Sequence, residues 1–240
     1  VQRLSEASEL LDGDLRDAAA LVGNLRDLGR INAAFGGVRL SQHAIDALIE
    51  PPDPASNGHG AQESVEVIDI GTGGADIPMA LLRARPRWSI TAVDSRQEVL
   101  DAARVADPRI AGLPGLTLGL ADGLALPFAD GSFDVAHASL VLHHLAPEDA
   151  RRLVREMARV ARRGIVLNDL ERGWLNWLGA WLLLHVATRN PLTRNDGPLS
   201  VRRSYLLSEA VRLVEGEGLV VVHRRRGFLG HRWAVAAVRR

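Results

Sequence analysis

Apolar and polar positions divide the chain into a helical first part and a longer region where strands and helices alternate. Leu10, Leu11, Leu15, Ala18, Leu21, Val22, Leu25 and Leu28 recur at spacings of three and four, which predicts one apolar helix face. Gly36-Gly37 interrupts that pattern. Ser41 is placed to cap a second helix through Ala44, Ile45, Leu48 and Ile49. Residues 51–62, PPDPASNGHGAQ, are polar and turn-rich and read as a linker. Val65, Val67, Ile68 and Ile70 then form a β-branched run suited to a strand buried on both faces. Gly71, Gly73 and Gly74 allow a tight turn, and Ile77, Met79, Ala80, Leu81 and Leu82 open a helix. Further strands are predicted at residues 89–93, 116–120, 133–138, 164–167, 219–223 and 233–238. Further helices are predicted at 95–105, 146–162, 174–187 and 206–217, the last stopped by Gly218. Residues 190–201 read as a polar loop and 224–230 as a hairpin connection.

Composition narrows the chemistry. The 240 residues fit one domain with a real core, and a formal net charge of zero gives no basic surplus for nucleic acid. All 29 basic residues are Arg, so Schiff-base and lysine-base chemistry is excluded. Without Cys there is no thiol nucleophile, disulfide or cysteine-ligated zinc. Residues 1–20 carry acids and lack an apolar core segment, so no signal peptide is predicted and a cytoplasmic location is expected. No metal is expected: His59 falls in the linker, and His223 and His231 lie near the end strands.

Strand, glycine turn and helix N-terminus together make a nucleotide-binding corner at residues 65–78. A dinucleotide fingerprint needs a third glycine where Asp76 stands, and a P-loop needs a lysine that is absent. Asp94 ends the second strand 23 residues after Gly71, close to where an acid grips ribose hydroxyls; the alternative is a cap for the next helix.

The pattern Asp69-x-Gly71-x-Gly73 resembles motif I of class I S-adenosylmethionine (SAM)-dependent methyltransferases, with Ala75 at the usual third glycine. The segment LPFADGSFDVAHASLVLHHL, residues 126–145, resembles the family's stretch before its fourth strand. The resemblance covers about residues 62–170. It implies an α/β fold: a Rossmann-like, seven-stranded, mostly parallel sheet with helices on both faces and an antiparallel final strand. Residues 1–60 would be a helical N-terminal cap and linker, and 61–240 the SAM-binding core, with a helical insertion at about 171–203. The cofactor contacts it implies are Asp69, Gly71, Thr72 and Gly73 at the turn, Asp94 with Ser95 at the ribose, and Ala121, Asp122 and Gly123 at the adenine. Ala138 would lie near the methionine part. Asp122 also suits a plain Asx turn.

Acceptor residues are sought beyond the fourth strand. His143 and His144 are candidate catalytic bases or loop-packing groups. Asn168 and Asp169 end a strand and either face the acceptor or cap a helix. Trp174, Trp177 and Trp181 share a helix face, which could close over the acceptor, form a homodimer interface or lie on a membrane surface; 14 residues are too few to span one. Arg202, Arg203 and Tyr205 are further candidates. The expected activity is methyl transfer to a small, apolar, aromatic acceptor such as a phenol, hydroquinone or polyketide, with oxygen slightly ahead of ring carbon. The alternatives are a quinone-type C-methyltransferase, a nicotinamide-dependent oxidoreductase and a non-catalytic SAM-binding protein.

Overall fold

The computed structural model describes residues 2–4, 7–13, 17–49 and 64–240. The predicted linker, with His59, and Leu15 lie outside the described residues. Seven strands form one sheet in the order β3-β2-β1-β4-β5-β7-β6. They are β1 Glu66–Ile70, β2 Ser89–Asp94, β3 Leu116–Leu120, β4 Phe133–Ser139, β5 Ala161–Leu170, β6 Leu219–Arg226 and β7 Arg232–Arg239. The first five run parallel, and β7 inserts antiparallel between β5 and β6. Strand order reverses at β1, between β2 and β4, the place where open α/β sheets bind ligands.

Continuous apolar runs leave both faces of the central strands needing cover. Helices α5 (Pro147–Val160) and α8 (Leu207–Gly216) pack Leu153, Met157 and Val214 against Ile68, Ala136 and Val235. On the other face, α2 (Gly37–Ile49) and α3 (Asp76–Ala84) bring Leu40, Ile45 and Leu81 onto Val67, Val135 and Ala236. Each fully buried Val, Leu, Ile or Met among them contributes about 1.5–3 kcal/mol. Helix α1 (Ala18–Ala34) sets Leu21 and Leu25 beside Met79 and Val99, the latter on α4 (Gln97–Ala106). Helices α6 (Trp174–Ala187) and α7 (Pro191–Arg203) form the insertion between β5 and α8.

Local structure departs from the sequence pattern in four places. The first helix starts at Ala18, where the Asp17 carboxylate accepts from Ala20 N; Leu10 and Leu11 sit in a separate 3₁₀ turn, Leu10–Asp12. Residues 190–201 are mostly helix, because Asn190 caps the N–H groups of Leu192 and Thr193 and Pro191 occupies the first helical position. Strand β6 carries Arg224–Arg226, leaving only a short 3₁₀ turn, Phe228–Gly230, as connection. Ser41 is no cap: α2 begins four residues earlier, at Gly37, and Ser41 is fully buried inside it.

That buried hydroxyl belongs to a chain of polar groups crossing the core. His137 Nδ1 lies 2.5 Å from Asp69 Oδ1 and its Nε2 lies 2.7 Å from Ser41 Oγ. Asn168 donates to Ser41 Oγ at 2.8 Å and to Gly37 O at 2.9 Å. Arg232 Nε donates to Asn168 Oδ1 (3.2 Å) and Nη1 to Asn32 Oδ1 (2.5 Å), while Asn32 Nδ2 donates to Asp76 Oδ2 (3.0 Å). The self-consistent proton placement has Nδ1–H of His137 on Asp69, with Ser41 donating to Nε2. Ser41→Ala would leave the ring nitrogen facing no partner and take one of the two hydrogen bonds from the Asn168 amide. We expect it to destabilise the fold by about 1–3 kcal/mol, the scale for an orphaned buried polar group, read as a lower urea midpoint; an unchanged midpoint would remove Ser41 from this role.

Candidate active site

The glycine turn follows β1 at the switch point. Gly71 (φ +67°) and Gly73 (φ +53°) take left-handed backbone, and a Cβ on Gly71 would fall 2.4 Å from Val141 Cγ2. Thr72 N donates to Val93 O at 2.9 Å, tying the turn to β2. The buried Thr72 Oγ1 has no hydrogen-bond partner among the described residues. Asp94 accepts from Gly73 N and Arg96 N, both at 3.1 Å; burial, the largest influence on it, raises its pKa. Ser95 follows, exposed, and the helix cap is Arg96 rather than Asp94. Ala121 N donates to Asp94 O at 3.0 Å, bringing the end of β3 alongside. Asp122 is exposed and forms the Asx turn, accepting from Leu124 N at 2.9 Å. Gly123 packs against Ile70, and Ala138 pairs with Ile70 across the sheet.

These residues share the C-terminal edge of β1–β4. Their chemistry fits a cofactor without phosphate: a backbone cradle free of Cβ atoms, an unpartnered hydroxyl, and carboxylates with lone pairs left for hydroxyl and amino groups. The Asp69 carboxylate is buried, with Oδ1 held by His137.

The segment leaving β4 has two sides. Val141 abuts Gly71, while Leu140, His143 and His144 line a cavity of about 510 Å³. Leu140 takes φ +58°, which is costly for a branched side chain, and its N–H is fixed on Asn168 O at 2.9 Å. Leu28 and Ile31 of α1, Leu183 and Leu184 of α6, and Val201 of α7 form apolar walls. Polar groups gather around Glu9, His143 and His144, with Asn32 and Arg232 also on the wall. None of the glycine-turn residues lines this cavity.

His143 is buried. Asp169 receives its Nδ1 at 2.7 Å and its backbone N–H at 3.0 Å, leaving Nε2 directed at Glu9, 3.8 Å away. His144 stacks on it with ring centroids 4.2 Å apart and places Nδ1 2.8 Å from Asp12 Oδ1. Burial works to raise Asp169, but His143 outweighs it and holds the carboxyl below its usual range. Burial likewise opposes the hydrogen bonds from His144 and Arg203 on Asp12, and the hydrogen bonds prevail. Glu9 has less help: burial pushes it up to about 7. The strap carrying Glu9 and Asp12 is anchored by Asp196, which accepts from Leu10 N (2.9 Å) and Leu11 N (3.0 Å).

Several expected acceptor residues lie elsewhere. Trp174 and Trp177 are 61% and 36% exposed; the cavity is lined by the other side of α6, through Leu175, Gly179 and Leu183. Low polarity all round that helix hid which face turned inward. Asn168 is buried in the polar chain, paired with Ser139 across β4 and β5. Arg202 is exposed and off the cavity. Arg203 is buried and joins Asp12 at 2.5 Å and Glu9 at 3.4 Å. Tyr205 is buried beneath Arg3 and donates its hydroxyl to Leu145 O at 3.3 Å, a packing role. Asp169 supports His143 instead of capping a helix. Glu9 and Asp12 went unread because a polar strap brought in by tertiary contact leaves no periodic signal.

Among known proteins, a family described as Methyltransferase domain matches residues 67–164. A demethylmenaquinone methyltransferase of Thermotoga maritima is 32% identical over 168 residues, covering 68% of this chain and 69% of that protein. An uncharacterized methyltransferase of Synechocystis sp. is 28% identical over 116 residues, 47% of this chain; the chain spans about half of that relative's length, 51%. The structure of human N-acetylserotonin methyltransferase in complex with SAM superposes with a TM-score of 0.68 at 16% identity, covering 97% of this chain and 59% of that one, a likeness of fold. Seven-stranded sheet, glycine corner and sequence kinship agree: the chain belongs to the class I SAM-dependent methyltransferases.

Proposed function

We propose that the protein methylates an oxygen of a small, apolar, aromatic acceptor such as a phenol, hydroquinone or polyketide. One observation carries the reading: the 139–144 segment touches the glycine corner through Val141 and an apolar cavity through Leu140 and His143. A volume of about 510 Å³ suits a ligand of drug-like size. When bound, the cofactor supplies an electrophilic methyl group on a cationic sulfur. Apolar walls favour a transfer that disperses charge, and they exclude water. Asp169 fixes the His143 ring so that Nε2 is the atom that accepts the acceptor's hydroxyl proton as the oxygen–methyl bond forms and the sulfur–methyl bond breaks. Quinone-type methylation at ring carbon is the second reading, favoured by the Thermotoga relative named a demethylmenaquinone methyltransferase.

Product masses from a panel of phenols and hydroquinones incubated with SAM decide between oxygen and carbon. For a phenol acceptor, His143→Gln is expected to lower kcat by about 10²–10⁴, the range for a lost general base, with SAM affinity retained; an unaltered kcat would end the base role. Asp94→Ala should weaken S-adenosylhomocysteine binding by about 1–3 kcal/mol in a calorimetric titration, the scale of hydrogen bonds to a charged group. Equal affinity would take Asp94 out of the cofactor site. A Cβ on Gly179 meets open space on the cavity side, so Gly179→Trp is expected to raise the acceptor KM about tenfold or more. Trp177→Ala, on the outer side, should leave it within about twofold; the opposite ranking would place the tryptophan face over the acceptor.

A further inference from the structure

Glu9, His143 and His144 pose a question that proton transfer leaves open. Each imidazole has its Nδ1 on a carboxylate, His143 on Asp169 (2.7 Å) and His144 on Asp12 (2.8 Å). With those protons placed, both Nε2 atoms are bare lone pairs. They face the Glu9 carboxylate, His143 Nε2 at 3.8 Å from Oε1 and His144 Nε2 at 3.9 Å from Oε2. These distances are too long for hydrogen bonds, so acceptors confront an acceptor across a gap. Glu9 is 97% buried by area, being 3% exposed, and its Oε1 has no hydrogen-bond partner among the described residues. Arg203 Nη1, 3.4 Å from Oε1, is bound more closely to Asp12. Within the cluster, three carboxyl groups, Glu9, Asp12 and Asp169, surround the two imidazoles; Arg203 pairs with Glu9 and Asp12, and Asp169 also feels the charge of Arg232.

We propose that Glu9, His143 and His144 form a site for a divalent transition-metal ion, of which Zn²⁺ is the type. The three ligand atoms lie within 4.8 Å of one another. Metal–ligand bonds of about 2.0–2.2 Å place such atoms about 3.4–4 Å apart, so a small inward movement closes the site. Two neutral imidazoles and one carboxylate are a familiar zinc donor set, and a carboxylate behind each imidazole is the support that holds a ligating histidine in the right tautomer. All three residues line the cavity, so a fourth ligand would come from it. An ion there takes the His143 lone pair that the proposed reaction uses for a proton, so the loaded protein turns over more slowly. That kinetic effect rests on the methyl-transfer reading; the binding does not.

Chelator-treated whole protein is titrated with Co²⁺, followed by visible absorption, and with Zn²⁺ in competition with a chromophoric chelator. One equivalent should bind, with Co²⁺ giving the intense bands of low coordination number. A Glu9→Gln, His144→Gln double variant should weaken Zn²⁺ at least 100-fold, and Asp12→Asn, which keeps all three ligands, about 10–100-fold. No saturable binding, or equal affinity in the double variant, would overturn the site. Should that variant not fold, Zn²⁺ protection of His143 and His144 from diethylpyrocarbonate in the unaltered protein decides, and absence of protection overturns the proposal. Binding that leaves turnover untouched would support the site and remove His143 as proton acceptor.

Discussion

The buried cation of Arg232 is the constraint on which both halves of the site depend. The guanidinium is fully enclosed, and burial lowers its pKa to about 10 against the pull of Asp169 and Asp76. An enclosed charge persists only when its hydrogen bonds are met. Here Asn168, Asn32 and Ser139 meet them, and through those two amides and one hydroxyl the cation reaches α1, β4 and β5. Asp76, at the first turn of α3, is raised by burial and steadied by Asn32. The polar chain therefore joins the helix behind the glycine turn to the wall of the apolar cavity. Partly satisfied, such a chain would cost more than an apolar core; satisfied, it sets one relative position for α1, α2 and the sheet.

Much of the sheet was legible because its signals are local. β-branched runs, glycine turns and strand-terminal acids marked β1 to β4, and Gly71, Gly73 and Asp94 do come together at the end of β1 and β2. Positions set by tertiary contact were not legible. Ser41 looks like a cap in sequence and is a core hydrogen-bonding group, because Gly37 already starts the helix under Arg232. The helix over Pro191–Arg203 was hidden by polar composition, although Asn190-Pro191 is a legitimate start signal. In α6 the tryptophans attracted attention by size, yet the smaller Gly179 and the leucines face the cavity. Glu9 and Asp12 meet the histidines across more than 130 residues, a separation at which no spacing rule applies.

Division of labour within residues 139–144 explains how the glycine turn and the apolar cavity sit close without sharing walls. Side chains of this short segment serve opposite sides, Val141 the glycine turn and Leu140, His143 and His144 the cavity. Leu140 takes positive φ between the two sides, and its hydrogen bond to Asn168 holds that conformation. Placing His143 on a short 3₁₀ turn, with both its backbone and ring on Asp169, leaves its orientation little freedom.

Strand β7 has a consequence for assembly of the fold. It enters the sheet antiparallel between β5 and β6, and its Arg232 bonds to Asn32, two hundred residues earlier in the chain. Contacts of such separation form against a large loop-closure entropy and delay folding. A chain with β1 to β5 assembled but β7 undocked would have Asp76 and Asp169 without the cation that opposes their charge. Native-like secondary structure over β1 to β5 would then precede closure of the polar chain, which waits for the last strand.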